Sequence, residues 1–529
     1  QLTSGQSTSQ STVTWGTPSG PIQSTGANGI VDGMNTGSGQ WRSIYLTYSA
    51  HYAYKGRYVA DFSLRRDGTT KFGADKRWGT FPALSVRWNV SREPWFNKAL
   101  PWVSMLSIRP GWGIVGKQPG SEYLYFSKYA IGKGYLSQGS IYPQNIRMKN
   151  LKWEQKETYN IGADFGFFDD KISGNVEVYR QYTSDLLMQN RGIPTSSGYP
   201  HLLWQNVGNM ENIGWEFNFN GNSIVKAGKF GMDFNVTFAN NRNRVTAMDE
   251  TCLASLNNEF NRNNGSYLSR VELNYALGSI YGFRYLGVYQ YSDYSAEEVP
   301  GVSGPNAPVV RDKDGIVILD ENQMTKPMMF CAGSVNYEFR GGDAIYDDIN
   351  HDGTIDELDI VYLGSSLPKV TGGWGFKLRW GRLSWNNQFN FRYGNKIINR
   401  VRMNAENMYS NNNQSRAVNW RWRVEGDDAR IPRALRQHGY NWLGSDRFVE
   451  DGSFMRLNYS QISYSCPANE LKRFGLNRLD FYVSANNLFC LTNYSGSDPE
   501  VGYGGLGIVT DNAQTPRAKS FTAGVTIGF

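Results

Sequence analysis

The chain has 529 residues, a formal net charge of +7 and only 19% charged residues. This charge is modest and is not gathered into basic runs, which argues against a nucleic-acid-binding protein. No segment approaches the roughly 18 consecutive apolar residues that a transmembrane helix needs. Aromatic residues make up 14% of the chain and there are 58 glycines, a composition unlike that of an ordinary set of soluble domains.

Cysteines and histidines are few and lie far apart. The cysteine spacing fits neither a zinc motif nor a disulfide framework, and no arrangement of nucleophile, histidine and acid is recognisable. We therefore predict that the chain is not an enzyme and that these residues have ordinary polar or packing roles. They are Cys252, Cys331, Cys466, Cys490, His51, His201, His351 and His438.

The first 41 residues differ in composition from the remainder. Residues 1–41 are rich in Ser, Thr and Gly and show no periodicity, which is typical of a long exposed loop. We predict that this loop is extracellular. Residues 1–10 have neither the basic start nor the apolar core of a signal peptide, so we expect the sequence to start inside a longer protein.

From residue 42 onward, apolar and polar residues alternate in short segments. Between Tyr159 and Phe167, for example, aromatic and aliphatic side chains alternate with Asn160, Asp164 and two glycines. A period of two predicts β-strands with one apolar and one polar face. Thirteen strands are predicted in this way, at 42–54, 58–64, 84–90, 106–114, 159–167, 172–178, 213–219, 232–238, 374–380, 383–393, 453–464, 478–491 and 517–529.

The last predicted strand carries the clearest alternation. Phe521, Ala523, Val525, Ile527 and Phe529 share one face, and the other face carries only small or uncharged polar residues. An exposed strand of this kind invites aggregation in a soluble protein, whereas in a membrane barrel the final strand completes the pairing of the sheet. Its residue spacing also resembles the C-terminal signal that outer-membrane proteins present to the barrel assembly machinery. An amphipathic edge strand is the alternative interpretation.

Short and long connections alternate strictly between the predicted strands. The short ones lie near 55, 91–104, 169, 225, 381 and 467–476, and the long ones at 65–79, 117–155, 189–210, 244–367, 395–452 and 492–516. This pattern is typical of a transmembrane barrel with short periplasmic turns and long extracellular loops. Since an odd strand number does not fit a whole bacterial barrel, we predict that residues 42–529 form the C-terminal part of a transmembrane antiparallel β-barrel, an all-β fold.

Ordered short motifs run along nearly the whole chain. They include Lys55-Gly-Arg-Tyr58, Arg65-Arg-Asp-Gly68, Arg77-Trp-Gly-Thr-Phe-Pro82, Leu151-Lys-Trp-Glu154, Gly342-Asp343 with Tyr346, Tyr393-Gly-Asn-Lys396 and Ser497-Asp-Pro-Glu-Val501. In these motifs the chain resembles the SusC/RagA-like TonB-dependent transporters of the Bacteroidetes outer membrane. The resemblance implies a barrel of about 22 strands around a plug. The predicted thirteen would be its C-terminal strands, and we expect the plug domain to lie outside this chain.

The same resemblance implies a function and a set of partners. The protein would import an oligosaccharide or an oligopeptide across the outer membrane, together with a SusD-like surface lipoprotein. TonB would act through the plug, and the other partners would be the upstream half of the barrel and the surrounding lipid, with no nucleic acid. A passive porin or structural outer-membrane barrel is the alternative. A secreted glycan hydrolase is a further one, but it needs a pair of catalytic carboxylates in a cleft.

One local motif lies in the predicted loop 244–367. Residues 348–359 follow the order D-x-N-x-D-G-x-I-D-x-x-D, which is the spacing of an EF-hand-type calcium loop. No flanking helices are evident, and Asp replaces Glu at the last position. The alternative is an acidic surface loop built on Asx-turns. The predicted ligands of a structural calcium ion are Asp348, Asn350, Asp352, Thr354 through its backbone carbonyl, Asp356 and Asp359.

Aromatic residues in the predicted loops are candidates for stacking on sugar rings or packing against peptides. For any single one of them we favour packing inside the loop itself or a place in an aromatic girdle, and we therefore predict no substrate-binding residue. The residues concerned are Tyr123, Tyr125, Tyr135, Trp204, Tyr267, Tyr285 and Tyr289.

Overall fold

The computed structural model describes residues 2–12, 34–133, 139–192, 195–199, 201–257, 267–268, 270–294, 307–332, 335–471, 473 and 475–529. Its main element is an antiparallel sheet of fourteen strands that pair in chain order. These strands are β1 Leu2–Thr12, β2 Met34–Tyr54, β3 Tyr58–Thr69, β4 Trp78–Asn89, β5 Val103–Lys117, β6 Glu154–Phe167, β7 Ile172–Ser184, β8 Asn209–Ala227, β9 Phe230–Ala247, β10 Val370–Trp380, β11 Leu383–Tyr393, β12 Phe454–Ser465, β13 Arg478–Thr492 and β14 Ser520–Gly528. The sheet is open, with β1 and β14 as its edges.

The prediction that residues 1–41 form a loop is wrong for two parts of that segment. β1 occupies Leu2–Thr12, and β2 starts at Met34 and pairs with β1 in unbroken antiparallel register. Both stretches consist mainly of small and polar residues, so neither face shows the apolar alternation by which a strand is recognised. The large sheet therefore has fourteen strands, one more than predicted.

The thirteen predicted strands are all present. Short and long connections alternate as predicted except near the start, where the connection predicted to be long, 70–77, has eight residues and the next one, 90–102, has thirteen. The short connections lie at one end of the sheet, and four of them have two to four residues: 55–57, 168–171, 228–229 and 381–382. Pro110 lies inside β5. There the pairing of β4 with β5 is interrupted between Ser85 and Trp88, since a proline has no N–H to donate to the ladder.

The connections contain short helices and small sheets. The α-helices are α1 Pro94–Ala99, α2 Glu250–Leu256, α3 Arg400–Glu406 and α4 Ala468–Leu471. The two-stranded sheets pair Lys128–Lys133 with Gly139–Asn145, Leu187–Gly192 with His201–Asn206, Ser279–Gly282 with Val361–Ser365, and Tyr285–Val288 with Ala344–Tyr346. The three-stranded sheets join Val335–Glu338, Met329–Ala332 and Thr354–Ile355, and join Val449–Asp451, Lys396–Asn399 and Thr510–Asp511. Within the described ranges, no helix is long and apolar enough to span a membrane.

Three long connections at the predicted extracellular end pack together into one unit. They are 248–369, 394–453 and 493–519, and we call their described residues the loop lobe. Lys396–Asn399 pairs both with Val449–Asp451 and with Thr510–Asp511, which ties the second connection to the third. The N–H of Val509 donates to Ser366 Oγ at 2.9 Å, which ties the third to the first.

Aromatic side chains cover the apolar face of the large sheet as a continuous row. Phe219 contacts Phe234, and Phe234 contacts Trp374, with ring centroids 6.4 and 6.5 Å apart. Trp374 stacks on Phe389 at 4.1 Å, and Phe389 contacts Phe489 at 6.3 Å. The row thus runs from β8 to β13 with one of these rings on each strand except β12, as the period of two predicts for the lipid-facing side of a barrel.

Polar side chains bond across strands on the opposite face. Asn218 Nδ2 donates to Asn175 Oδ1 at 2.7 Å, and Arg379 forms an ion pair with Asp233 at 2.7 Å. Gln388 Nε2 donates to Asn235 at 3.4 Å. The alternation of residues places Asn218, Asp233 and Asn235, along with Glu216, on this polar face.

An arginine on the apolar face should impair assembly. Val236 lies between Phe219 and Trp374 in the register, and an arginine at the bilayer midplane costs about 2–4 kcal/mol. We expect Val236→Arg to lower the amount of heat-modifiable, folded protein in outer-membrane fractions of cells that make the full-length protein. Asn235→Arg, one residue away on the polar face, is the matched control, and an equal loss in both variants would contradict the assigned faces.

Candidate functional site

The loop lobe has a hydrophobic core of its own. Phe330, Phe339 and Tyr346 are almost completely buried at its centre, and Phe330 stacks on Tyr440 with ring centroids 4.2 Å apart. The hydroxyl of Tyr346 accepts a hydrogen bond from the N–H of Leu443 at 2.9 Å. Since buried aromatic area dominates core energetics, these contacts make the lobe a folded unit rather than a set of independent loops.

A buried carboxylate joins two segments of this core. Asp343 is fully buried and accepts two hydrogen bonds from the guanidinium of Arg433, at 2.7 and 3.0 Å. Tyr337 and Asn441 donate to the same carboxylate at 2.7 and 3.1 Å. Burial alone would lower the pKa of Arg433, but the bonds to Asp343 raise it, so the guanidinium of Arg433 is held in its charged form.

A second ionic network holds α3 against the end of its own connection, 394–453, and against the connection 493–519. Glu406 accepts from Arg402 at 2.9 Å and from Arg447 at 2.8 Å. Arg402 also donates to Glu450 at 3.1 Å, and Glu450 accepts from the N–H of Ser495 at 2.9 Å. These bonds connect residues from two long connections, so the positions of the connections depend on each other.

The predicted calcium loop folds as a tight turn on the lobe surface. Asp348 accepts hydrogen bonds from the N–H groups of Asp352 and Gly353, at 3.2 and 2.7 Å. Asn350 Nδ2 donates to Asp352 at 2.9 Å. Gly353 has a φ of +83°, and a Cβ there would lie 2.2 Å from Val310, so the sixth position requires glycine.

The remaining predicted ligands lie on the next turn. Asp359 is fully buried and accepts from the N–H groups of Ile349 and Asp356, at 2.8 and 2.9 Å. Burial raises the pKa of Asp359 to about 6, and the charges of Asp348 and Asp356 add to the effect. Thr354 lies in the short strand that pairs with Met329–Ala332. Among the residues that the structure describes, no three His, Cys, Asp or Glu side chains already form a metal-binding group.

Most of the aromatic residues considered as substrate contacts pack inside the connections. Tyr125 and Tyr289 are buried, Trp204 and Tyr285 pack against buried clusters, and the hydroxyl of Tyr267 donates to the carbonyl of Ser445 at 2.7 Å. Two residues differ: Tyr123 is exposed, and Tyr135 lies outside the described residues. The packing interpretation is therefore confirmed for five of the seven.

Cross-strand ion pairs on the polar face were not predicted. Arg109 binds Asp164 through two hydrogen bonds of 2.8 and 2.7 Å, and Ser107 donates to the same carboxylate at 2.8 Å. His51 Nδ1 lies 2.6 Å from Asp61, and both side chains are more than half exposed. These partners are 10 to 57 residues apart in the chain, so only the strand register brings them together.

Comparison with known families decides the identity of this two-faced sheet. Residues 2–320, more than half of the chain, match the family model described as TonB dependent receptor-like, beta-barrel. The chain belongs to this family. It therefore has a SusC/RagA-like transmembrane barrel fold and a place in the bacterial outer membrane, and the resemblance found in its motifs is confirmed.

Similarity to individual TonB-dependent receptors supports this family assignment. The chain is 29% identical over 493 residues to TonB-dependent receptor P39 of Formosa agariphila, covering 90% of this chain and 45% of that protein. It is 28% identical over 500 residues to TonB-dependent receptor SusC of Bacteroides thetaiotaomicron, covering 90% and 43%. The chain thus spans slightly less than half the length of these relatives, whose names describe receptors rather than enzymes.

A solved structure of similar fold supports the architecture. The structure of the RagAB peptide transporter superposes with a TM-score of 0.73, covering 96% of this chain and 50% of that one. The sequence identity is 21%, so the similarity concerns the fold alone. Because 96% of this chain is covered, the similarity of fold includes the loop lobe as well as the large sheet.

Loss of the buried carboxylate should destabilise the loop lobe. In Asp343→Ala the guanidinium of Arg433 loses its partner, and breaking a buried pair costs about 3 kcal/mol. We expect faster cleavage of residues 248–369 by protease while the large sheet keeps its heat-modifiable fold. Asp347→Ala, which removes the exposed pair with Arg284, is the matched control at below about 1 kcal/mol. Equal protease resistance in all three proteins would refute the role of Asp343.

Proposed function

We propose that this chain is the C-terminal part of an outer-membrane importer that takes up oligosaccharides or oligopeptides with energy supplied through TonB. The observation that carries the proposal is the family match over residues 2–320. Its sheet combines an apolar outer face with a polar inner face, as a barrel with an aqueous interior requires. Import through such a protein is binding and passage, with no covalent step on the substrate.

The loop lobe supports a role in capturing a substrate too large for porins. It lies at the end of the strands where the long connections meet, and it is a packed unit with buried ionic networks rather than a mobile set of loops. The RagAB structure, which has a similar fold, is named as a peptide transporter. We propose a SusD-like surface lipoprotein as a partner, docked on the lobe, with an oligopeptide or an oligosaccharide as the substrate.

Uptake measurements on the full-length protein test this proposal. Cells that lack the gene, with and without a plasmid copy, would receive fluorescent oligopeptides and oligosaccharides of increasing length. We expect plasmid-dependent uptake of one substrate class, and abolition of that uptake by a protonophore, because TonB draws on the proton gradient. Asp343→Ala should lower uptake through loss of lobe structure, whereas Asp347→Ala should not.

The passive-pore alternative gives the opposite result in the same assay. Uptake that continues in the presence of the protonophore, or that falls smoothly with substrate size for peptides and sugars alike, would identify a porin-like barrel.

We propose further that residues 348–359 bind a structural calcium ion. Asp348, Asn350 and Asp352 already lie in one turn, linked by the hydrogen bonds described above, and the buried Asp359 follows one short turn later. Oxygen ligands of this kind are those that calcium prefers. With Thr354 contributing its carbonyl and Asp356 a carboxylate, the set supplies six ligand residues. Burial raises the pKa values of Asp348 and Asp359, neighbouring carboxylates add to the effect, and the ion would neutralise these acidic groups.

Calcium titration distinguishes a metal site from an ordinary acidic turn. We expect the full-length protein to bind one calcium ion with a Kd of about 10⁻⁴–10⁻³ M, the range of extracellular modules, and Asp352→Ala to abolish binding in isothermal titration calorimetry. The matched control is Asp312→Ala, because Asp312 accepts the N–H groups of Asp314 and Ile316 in a similar turn of the same lobe. Equal binding by Asp352→Ala and the unaltered protein would exclude the site.

A further inference from the structure

A group of charged residues lies on the apolar face of the sheet at the predicted extracellular ends of β7, β8 and β9. Trp215 and Ile213 point outward from β8 and are exposed. The next residue on that face is Glu211, which is 1% exposed. Alternate residues of a strand share a face. On this face of β8, the apolar residues therefore end at Ile213 and a charged residue, Glu211, follows.

Arginines surround this glutamate on the same face. Arg180 of β7 and Arg244 of β9 both form ion pairs with Glu211, and their side chains remain 51% and 41% exposed. The guanidinium of Arg180 also lies 4.6 Å from the ring centre of Tyr182. Glu211 is buried, but the two arginines that it fixes are not. Their remaining guanidinium N–H donors face outward.

A third arginine is left without such a partner. Arg242 pairs with Ile213 in the register, as Arg180 does from the other side, so the two arginines flank one residue. Arg242 is exposed and forms no ion pair with any residue in the described part of the chain. With neighbouring strands about 4.8 Å apart, the Cα atoms of Arg180 and Arg242 lie roughly 10 Å apart, a gap that one phosphate group can fill between two long side chains.

Acidic groups on this face do not cancel the positive charge. Glu157 of β6 lies beside Tyr182 in the register, but it accepts hydrogen bonds from Trp112 Nε1 at 2.8 Å and Tyr159 at 2.6 Å. Three arginines thus face two glutamates whose acceptors are occupied. At the same end of β3, the outward Arg66 lies over the ring of the exposed Trp78 at 5.3 Å, so outward arginines at this level are not confined to one strand.

We propose that Arg180, Arg242 and Arg244 bind the phosphate of a lipid headgroup in the outer leaflet. An outward-facing group just beyond the apolar belt meets lipid headgroups, and guanidinium groups bind phosphate through paired, charge-assisted hydrogen bonds. Glu211 acts as the positioning residue, because it fixes two of the three arginines before the lipid arrives. The bound lipid would be an annular one that stays with the barrel, independent of what the protein transports.

Native mass spectrometry of the purified full-length protein tests this site. The probe is monophosphoryl lipid A, titrated into detergent micelles, with the same lipid after removal of its phosphate as the comparison. We expect Arg242→Ala to weaken binding roughly fivefold, the effect of about 1 kcal/mol for each basic residue near a charged membrane surface. Arg180→Ala should weaken it at least as much, and Arg242→Lys should restore part of the affinity.

Arg87→Ala is the matched control, because Arg87 is 49% exposed but lies on the polar face of β4. Its lipid binding should equal that of the unaltered protein. Heat-modifiable migration verifies that each variant is folded, and Arg242→Ala removes no ion pair on which the fold depends. Equal binding of the phosphate-free lipid, or unchanged binding by Arg242→Ala, would overturn the proposal. Loss of a co-purifying protein with lipid binding intact would instead assign the face to a protein partner and equally overturn it.

Discussion

A strand inside a lipid bilayer must hydrogen-bond its backbone to neighbouring strands, since hydrocarbon offers the backbone no other partner. The pairing of the strands in chain order from β1 to β14 follows from this constraint. Once pairing is continuous, a shift of one residue would turn every side chain to the other face. The alternation of residues therefore fixes both the register and the two environments of the sheet. The interruption beside Pro110 is tolerated because it is short and lies between two well-paired segments.

This constraint explains which parts of the fold were predictable from the sequence. Strands with apolar residues at every second position, such as Ser520–Gly528, can be recognised from their own sequence. β1 and the start of β2 cannot, because serine, threonine, glutamine and glycine occupy both faces, and only their mutual pairing makes them strands. The motif at 348–359 was likewise visible because its residues are contiguous, and the structure does place Asp348, Asn350 and Asp352 in one turn.

The ionic networks could not be predicted, for a physical reason. Asp343 meets Arg433 across 90 residues, and Arg180 meets Glu211 only because β7 and β8 pair in one particular register. A sequence shows that such residues are charged, not that they are opposite each other. One signal was available: Gly342-Asp343 with Tyr346 stood out among the motifs, and in the structure Asp343 and Tyr346 lie at the centre of the loop lobe. A charged residue in a motif beside an aromatic one was a sign of packing here, rather than of substrate binding.

The placement of charged residues also indicates where the outer boundary of the hydrocarbon region lies on the sheet, independently of any comparison with relatives. On the polar face, carboxylates such as Asp164 and Asp233 meet arginines across strands at many levels, as water in a barrel interior permits. On the apolar face at β7 to β9, by contrast, charge starts only at the row of Ile213, one step beyond Trp215. An isolated charge facing hydrocarbon is costly, so the outward Arg180 and Arg242 cannot lie much below the headgroups. The row through Ile213 therefore marks the outer boundary of the hydrocarbon region on these strands.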